Sequence, residues 1–212
     1  MITLTINDQR LRDLGQLAVW VGRGEEVTAV GGRAVAGFLR DYLFDLDAER
    51  ANRLGGPRTH FYADAARAVQ NPQADGNSVV ISINHLGLAQ RLFGGTITAG
   101  HGISSRTGQL TSLLAVPARA EAYGKTPGEF DDLEFVPTRT GGMLVQALQV
   151  QIIRGKRKGE WRDETVGALA MYWLVPEVTQ AADPTVLPSG RAMAGCAADA
   201  MEDYLDRKFK GS

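Results

Sequence analysis

Four cations crowd one short segment: Arg154, Lys156, Arg157 and Lys158 fall within five residues. Such density suits phosphate contact or docking on an acidic neighbour, and phosphate contact of this kind ignores base sequence and weakens with salt. Glu160, Asp163 and Glu164 follow directly, so with Arg162 the segment nets only +2, five cations less three acids. The acids cut the local field, and lysines at a hairpin tip also discourage edge pairing between sheets. Two readings stand side by side: a solvated tip, or a tip that meets DNA or an acidic partner.

The other chemistry-bearing residues are scattered. His60, His85 and His101 fall on different elements, and none has the spacing to a second histidine or carboxylate that marks a zinc site such as H-E-x-x-H. Ser104-Ser105 lacks the G-x-S-x-G elbow that presents an esterase nucleophile. The 25 glycines include no G-x-x-x-x-G-K-[ST] phosphate loop, and Gly155-Lys156-Arg157-Lys158-Gly159 has the wrong spacing for one. Cys196, alone among alanines in a helical pattern, reads as a small core residue and rules out an intrachain disulfide. No cofactor or metal is expected. An enzyme reading would have to rest on Ser104 or Ser105 as a hydrolase nucleophile, without a recognisable base or acid.

Composition narrows the class. At 212 residues and 22.8 kDa the default is one domain. A compact chain of this mass buries roughly 70% of its unfolded surface, enough for a proper core. A net charge of −1 argues against a coat of nucleic acid, so any DNA contact must be local. No charged-then-apolar leader opens the sequence and no apolar run reaches bilayer length, which suggests a reducing cytoplasm and no membrane partner.

The elements that must position these residues follow from periodicity. Ile2, Leu4 and Ile6 alternate as a short strand, and Asn7 or Asp8 is a candidate cap for a helix carrying Leu11, Leu14, Ala18 and Val21. A stronger helix follows, with Val27, Val30, Ala34, Val35, Phe38, Leu39, Tyr42, Leu43 and Leu46 at three- and four-residue steps. Gly31, Gly32 and Gly37 each weaken it by about 1 kcal/mol against alanine, a cost that implies close packing. Val35, Phe38, Leu39 and Tyr42 are its candidate interface set: the stripe can bury against the chain's own sheet or against a neighbouring subunit. Thr59 is the predicted cap of a third helix, and Ser78–Ile83 a core strand. A hairpin is expected from Met143–Ile153 and Thr165–Val175, the second arm apolar on both faces and therefore central or covered. Pro188-Ser189 opens a final helix with Met193, Ala197, Ala200, Tyr204 and Leu205 on its inward stripe. The predicted fold is α+β: one mainly antiparallel sheet of about five strands flanked by helices, with an N-terminal helical pair (an arm over 1–56, the sheet-containing core over 57–212) and a long β-hairpin.

The stretch from Asn84 to Gly124 organises the rest. It has a helical turn (Leu86, Leu88, Leu92), the pair Gly94-Gly95, a strand Thr96-Ile97-Thr98, a polar loop from Ala99 to Gln109, then Leu113-Leu114-Ala115-Val116 closed by Pro117. Its order, G-L-A-Q-R-x-F-G-G-T-I, a polar loop, then L-L-A-V-P-A-x-x-E-A-Y-G, resembles the phage virion-morphogenesis proteins of the Mu-like tail-completion family. The likeness runs from Arg58-Thr59-His60-Phe61-Tyr62 to the closing helix, about residues 58 to 208. The resemblance implies a non-enzymatic virion protein at the head–tail junction, of the tail-completion, neck or tail-terminator type, assembled in the host cytoplasm. It implies a homo-oligomeric ring, with portal or adaptor and tail-tube proteins as partners and packaged DNA passing through. In such a ring His101, Ser104, Ser105 and Arg106 of the polar loop would order against an adjacent subunit, and Arg154, Lys156, Arg157 and Lys158 would face the lumen. A DNA-binding module using the basic tip is the alternative from another class, and a serine hydrolase a further one.

Overall fold

In a computed structural model, the described residues are 2–4, 10, 12–14, 17, 22, 24–51, 54–75, 78–85, 87–100, 102–103, 110–151 and 161–210. They form two compact units: residues 1–50, 60–95 and 181–212, and residues 51–59 with 96–180. The boundary does not fall at residue 56, because the long N-terminal helix belongs to the core of the first unit.

In that unit β1 (Ile2–Leu4), β2 (Gln73–Asp75) and β3 (Ser78–Ile83) form an antiparallel sheet with β3 in the centre. Helices join it, among them α1 (Gly24–Glu49), α2 (Phe61–Arg67), α3 (Leu88–Phe93) and α4 (Gly190–Lys210). In α1, Val27, Gly31, Gly32, Val35, Ala36, Leu39, Leu43 and Leu46 are buried, a continuous stripe at helical spacing. Val35, Leu39, Leu43 and Leu46 pack with Ile81 and Ile83 of β3, Leu88 of α3, and Met193 and Ala197 of α4. Glu25 and Glu26 lie in the first turn, where the helix dipole favours negative charge. Ahead of α1, Arg10, Arg12–Leu14 and Leu17 are helical, and Leu14 packs beside Val27, Met201 and Leu205; the rest of the predicted first helix lies outside the described residues.

The three helix glycines separate by environment. A Cβ at Gly32 would sit 2.6 Å from Val79 Cγ1, and one at Gly31 3.0 Å from Met201 Sδ, so here the small residue lets α1 approach β3 and α4. At Gly37 nothing lies within 4 Å. Gly37→Ala is therefore expected to raise stability by about 0.5–1 kcal/mol through helix propensity. Gly32→Ala should lower it by about 1–2 kcal/mol, because Val79 is β-branched and has little rotamer freedom to yield. Urea midpoints of the two variants, moving in opposite directions, are the check.

The cap of α2 departs from expectation. Its N-cap is His60, not Thr59, with φ 53 and ψ 28 and no side-chain cap bond of its own. The free first-turn N–H of Ala63 instead donates to Asp47 Oδ1 at 3.3 Å, and Asp47 Oδ2 pairs with His60 Nδ1 at 2.9 Å. A carboxylate 13 residues upstream does what a neighbouring hydroxyl was expected to do. Partial burial pushes the Asp47 carboxyl up, but the His60 and backbone N–H bonds outweigh it and hold the group below the ordinary carboxylate range. A depressed carboxyl stabilises the fold above its unfolded pKa of about 3.9, and that stabilisation is lost as pH falls through the folded value. Asp47→Ala should thus cost about 1 kcal/mol at pH 7, with the gap to wild type narrowing below about pH 4; equal midpoints at pH 7 would overturn this.

The second unit holds the hairpin. β7 (Leu114–Pro117), β8 (Leu133–Thr138), β9 (Gly141–Gln151) and β10 (Trp161–Val175) form one antiparallel sheet in the order β7-β10-β9-β8. Two smaller pairs accompany it: β4 (Gly95–Thr98) with β11 (Glu177–Gln180), and β5 (Gly102–Ile103) with β6 (Leu110–Thr111). The expected single sheet is in fact several antiparallel sheets, although the α+β class stands. The polar stretch Ala99–Gln109, expected as loop throughout, contains β5. Gly102 opposes Thr111 and Ile103 opposes Leu110, a pairing that needs only main-chain groups and leaves little mark on composition.

Tyr172 anchors the main sheet. Only 1% exposed, it packs with Ala122, Met171, Phe130, Leu133 and Leu144, and its hydroxyl has the carbonyls of Lys125 (3.0 Å) and Ala122 (3.2 Å) within reach. Burial raises its phenol pKa, favouring the neutral donor these carbonyls require. The β9–β10 register shifts between Ala170 and Tyr172, leaving Met171 as an extra residue. That bulge breaks the alternation, so the consecutive Met171 and Tyr172 are both buried.

Candidate functional site

The bulge determines which residues of β10 face outward. Trp173 lies opposite Val116 of β7 and Met143 of β9, and Met143 lies opposite Val136 of β8. Directly opposed residues share a face, so Val116, Trp173, Met143 and Val136 form an apolar row across all four strands. Trp173 is 46% exposed and Val136 36%, while Val116 and Met143 are half-buried. On the other face Pro117, Tyr172, Leu144 and Phe135 are aligned in the same way, with Phe135 at the sheet edge and 56% exposed. The arm read as apolar on both faces is central in its sheet, but at Trp173 one face is uncovered. Sequence pattern flagged the strand and could not say which side would stay open, because the bulge is set by pairing with β9.

The interface set on α1 is corrected in part. Val35 and Leu39 are 2% and 0% exposed inside the first unit's core, with Phe38 and Tyr42 half-buried against it. Tyr42 also donates to the Thr185 carbonyl at 2.8 Å. Of the two uses open to this stripe, the chain's own sheet and helices take it. Phe44, 43% exposed, is the large apolar residue that α1 presents outward.

A polar cluster in the first unit was not foreseen. Arg50 Nη1 donates to Asp183 Oδ2 at 2.7 Å and to the Tyr62 hydroxyl at 3.0 Å, and Arg91 Nη1 reaches the same hydroxyl at 3.1 Å. The Arg91 guanidinium stands 4.5 Å from the Phe61 ring centre, and Phe61 meets His85 edge-on at 4.6 Å. The Thr185 hydroxyl and Arg50 together hold the Asp183 carboxyl below its usual range, while burial lowers the His85 pKa. Cation, ring and carboxylate here tie the end of α1 to α2, α3 and the Asp183–Thr185 segment. The cluster's hydrogen bonds and ring contacts fasten these elements to one another. The signal available in sequence was weak, since Arg50 and Asp183 lie 133 residues apart.

Arg154, Lys156, Arg157 and Lys158 lie outside the described residues, as do His101, Ser104, Ser105 and Arg106. His60 and His85 serve the helix cap and the ring cluster. Among the described residues no three His, Cys, Asp or Glu side chains converge as metal ligands. Cys196 is half-buried on α4, and burial raises its thiol pKa. No helix among the described residues is long and apolar enough to cross a membrane.

Fold and site together define an α+β protein of antiparallel sheets whose most distinctive open feature is an apolar sheet face. Comparisons with protein-family models, curated proteins and solved structures return no match.

Proposed function

We propose that the chain is a structural virion protein at the phage head–tail junction, of the tail-completion, neck or tail-terminator type, working through docking surfaces. The observation that carries this reading is the row Val116, Trp173, Met143 and Val136, exposed at Trp173 and Val136, on the sheet built from the motif-bearing stretch and the long hairpin. Apolar side chains aligned across four strands suit burial against another protein. The order of motifs around Gly94-Gly95 and Leu114–Pro117 supports the phage assignment. In this reading copies associate head to tail into a ring, which requires a heterologous contact that closes. One side of the ring receives the portal or adaptor, the other the tail tube, and DNA passes through.

The test is genetic and structural together. Removing the chain should leave filled heads and finished tails unjoined, with joining restored by the chain in trans, and a map of the intact particle should place it as a ring at the junction. Normal infectious particles formed without the chain would overturn the proposal.

A further inference from the structure

β8 is an open strand edge. Among the described strands it pairs only with β9, and Glu134, Phe135, Val136, Pro137 and Thr138 are all exposed. An exposed edge offers unpaired N–H and C=O groups to another strand, Pro137 its C=O alone. Its flanks carry opposite charge: Asp131 precedes the strand and Arg139 follows it, both exposed. Neither has an ion-pair partner among the described residues, whereas Arg10, Arg50, Arg67 and Arg119 are all paired.

We propose that β8 pairs with β8 of a second copy, antiparallel, about a two-fold axis through Phe135. A strand that starts acidic and ends basic is complementary to itself only in the antiparallel sense. A two-fold perpendicular to the sheet keeps each face on its own side, so opposed residues must share a parity. Centring on Phe135 satisfies both conditions: Asp131 of each copy then opposes Arg139 of the other. The same register sets Leu133 against Pro137, Glu134 against Val136, and the two Phe135 rings against each other, where an aromatic cross-strand pair is favourable. The four-stranded sheet becomes eight-stranded, and the exposed edge is closed. This contact is isologous, unlike the head-to-tail contact of a ring, and it holds or fails independently of the virion reading.

Main-chain pairing of one short strand is a modest interface, so association in the micromolar range is expected. Sedimentation of the full chain between about 1 and 100 µM should show a monomer–dimer equilibrium over that range. Asp131→Arg or Arg139→Asp alone should weaken the dimer by about tenfold or more, and the double reversal should restore it; these residues are exposed and flank the strand, so the variants should melt as wild type does. Phe135→Cys in a Cys196→Ser background should form a disulfide dimer on mild oxidation, since opposed Cα atoms stand about 5 Å apart. Thr138→Cys in the same background should not, because its two copies would be about 20 Å apart. A monomer at about 100 µM, or an assembly indifferent to both charge reversals, including a ring built from other surfaces, overturns the proposal.

Discussion

Leu39→Ala should lower the stability of the isolated chain by about 3 kcal/mol, with no dependence on protein concentration. Leu39 is 0% exposed in a cluster with Val35, Leu43, Ile81 and Ile83. Truncation removes three methyl or methylene-equivalent carbons and leaves a cavity that α1 and β3 cannot readily collapse, since Gly32 already brings them into close approach at Val79. The concentration test separates core from interface. Had the stripe been reserved for a neighbouring subunit, the same substitution would spare the monomer and shift self-association. Phe44→Ala, on the outward side of the same helix at 43% exposure, should change stability by less than about 0.5 kcal/mol. A urea midpoint for Leu39→Ala close to wild type would overturn the assignment of the stripe to the core.

This result bears on how far the sequence could be read. The periodicity of α1, the β-branched run of β3 and the stripe of α4 are local signals, and the elements stand where those signals lie. What a strand or helix pairs with is set by distant residues. Asp47 replaces Thr59 as the capping group of α2 because tertiary packing brings a carboxylate to the helix end. The hairpin was legible, but the bulge at Met171, which turns Trp173 outward, depends on register with β9. The longer strands were likewise visible as separate apolar runs, whereas β2, β5 and β11 were not, and the division among several sheets follows from contacts between the strands. The residue types most tempting as chemistry, a basic tip and a Ser-rich loop, stood out by composition alone. The apolar row of the candidate site has no such signature, since Val116, Met143, Val136 and Trp173 come from four strands and meet only after folding.

Gly141→Ala should be among the most damaging single-methyl changes in the chain, at about 3 kcal/mol or more. A Cβ there would stand 2.0 Å from the carbonyl oxygen of Leu174 and 3.1 Å from its carbon. The obstacle is backbone, so no rotamer change relieves it. Gly141 also opposes Thr138 of β8, and the adjacent Gly142 opposes both Pro137 of β8 and Leu174 of β10, so this end of β9 is held on both sides. Any retreat from Leu174 must open one pairing or the other. Gly142→Ala makes the instructive contrast. Its new methyl would meet the Phe135 ring at 2.3 Å, but that ring is a side chain, 56% exposed, and can swing toward solvent. A cost nearer 1 kcal/mol is expected, partly offset by the smaller backbone entropy of the unfolded alanine variant. Urea denaturation of the two variants should rank them in that order, and a Gly141→Ala midpoint at or above that of Gly142→Ala would show that the strands do not approach so closely. The same corner carries both proposed surfaces, because Trp173 and β8 are held in register through β9. Gly141→Ala should therefore weaken β8 self-pairing and particle joining together, whereas Arg139→Asp should disturb only the first.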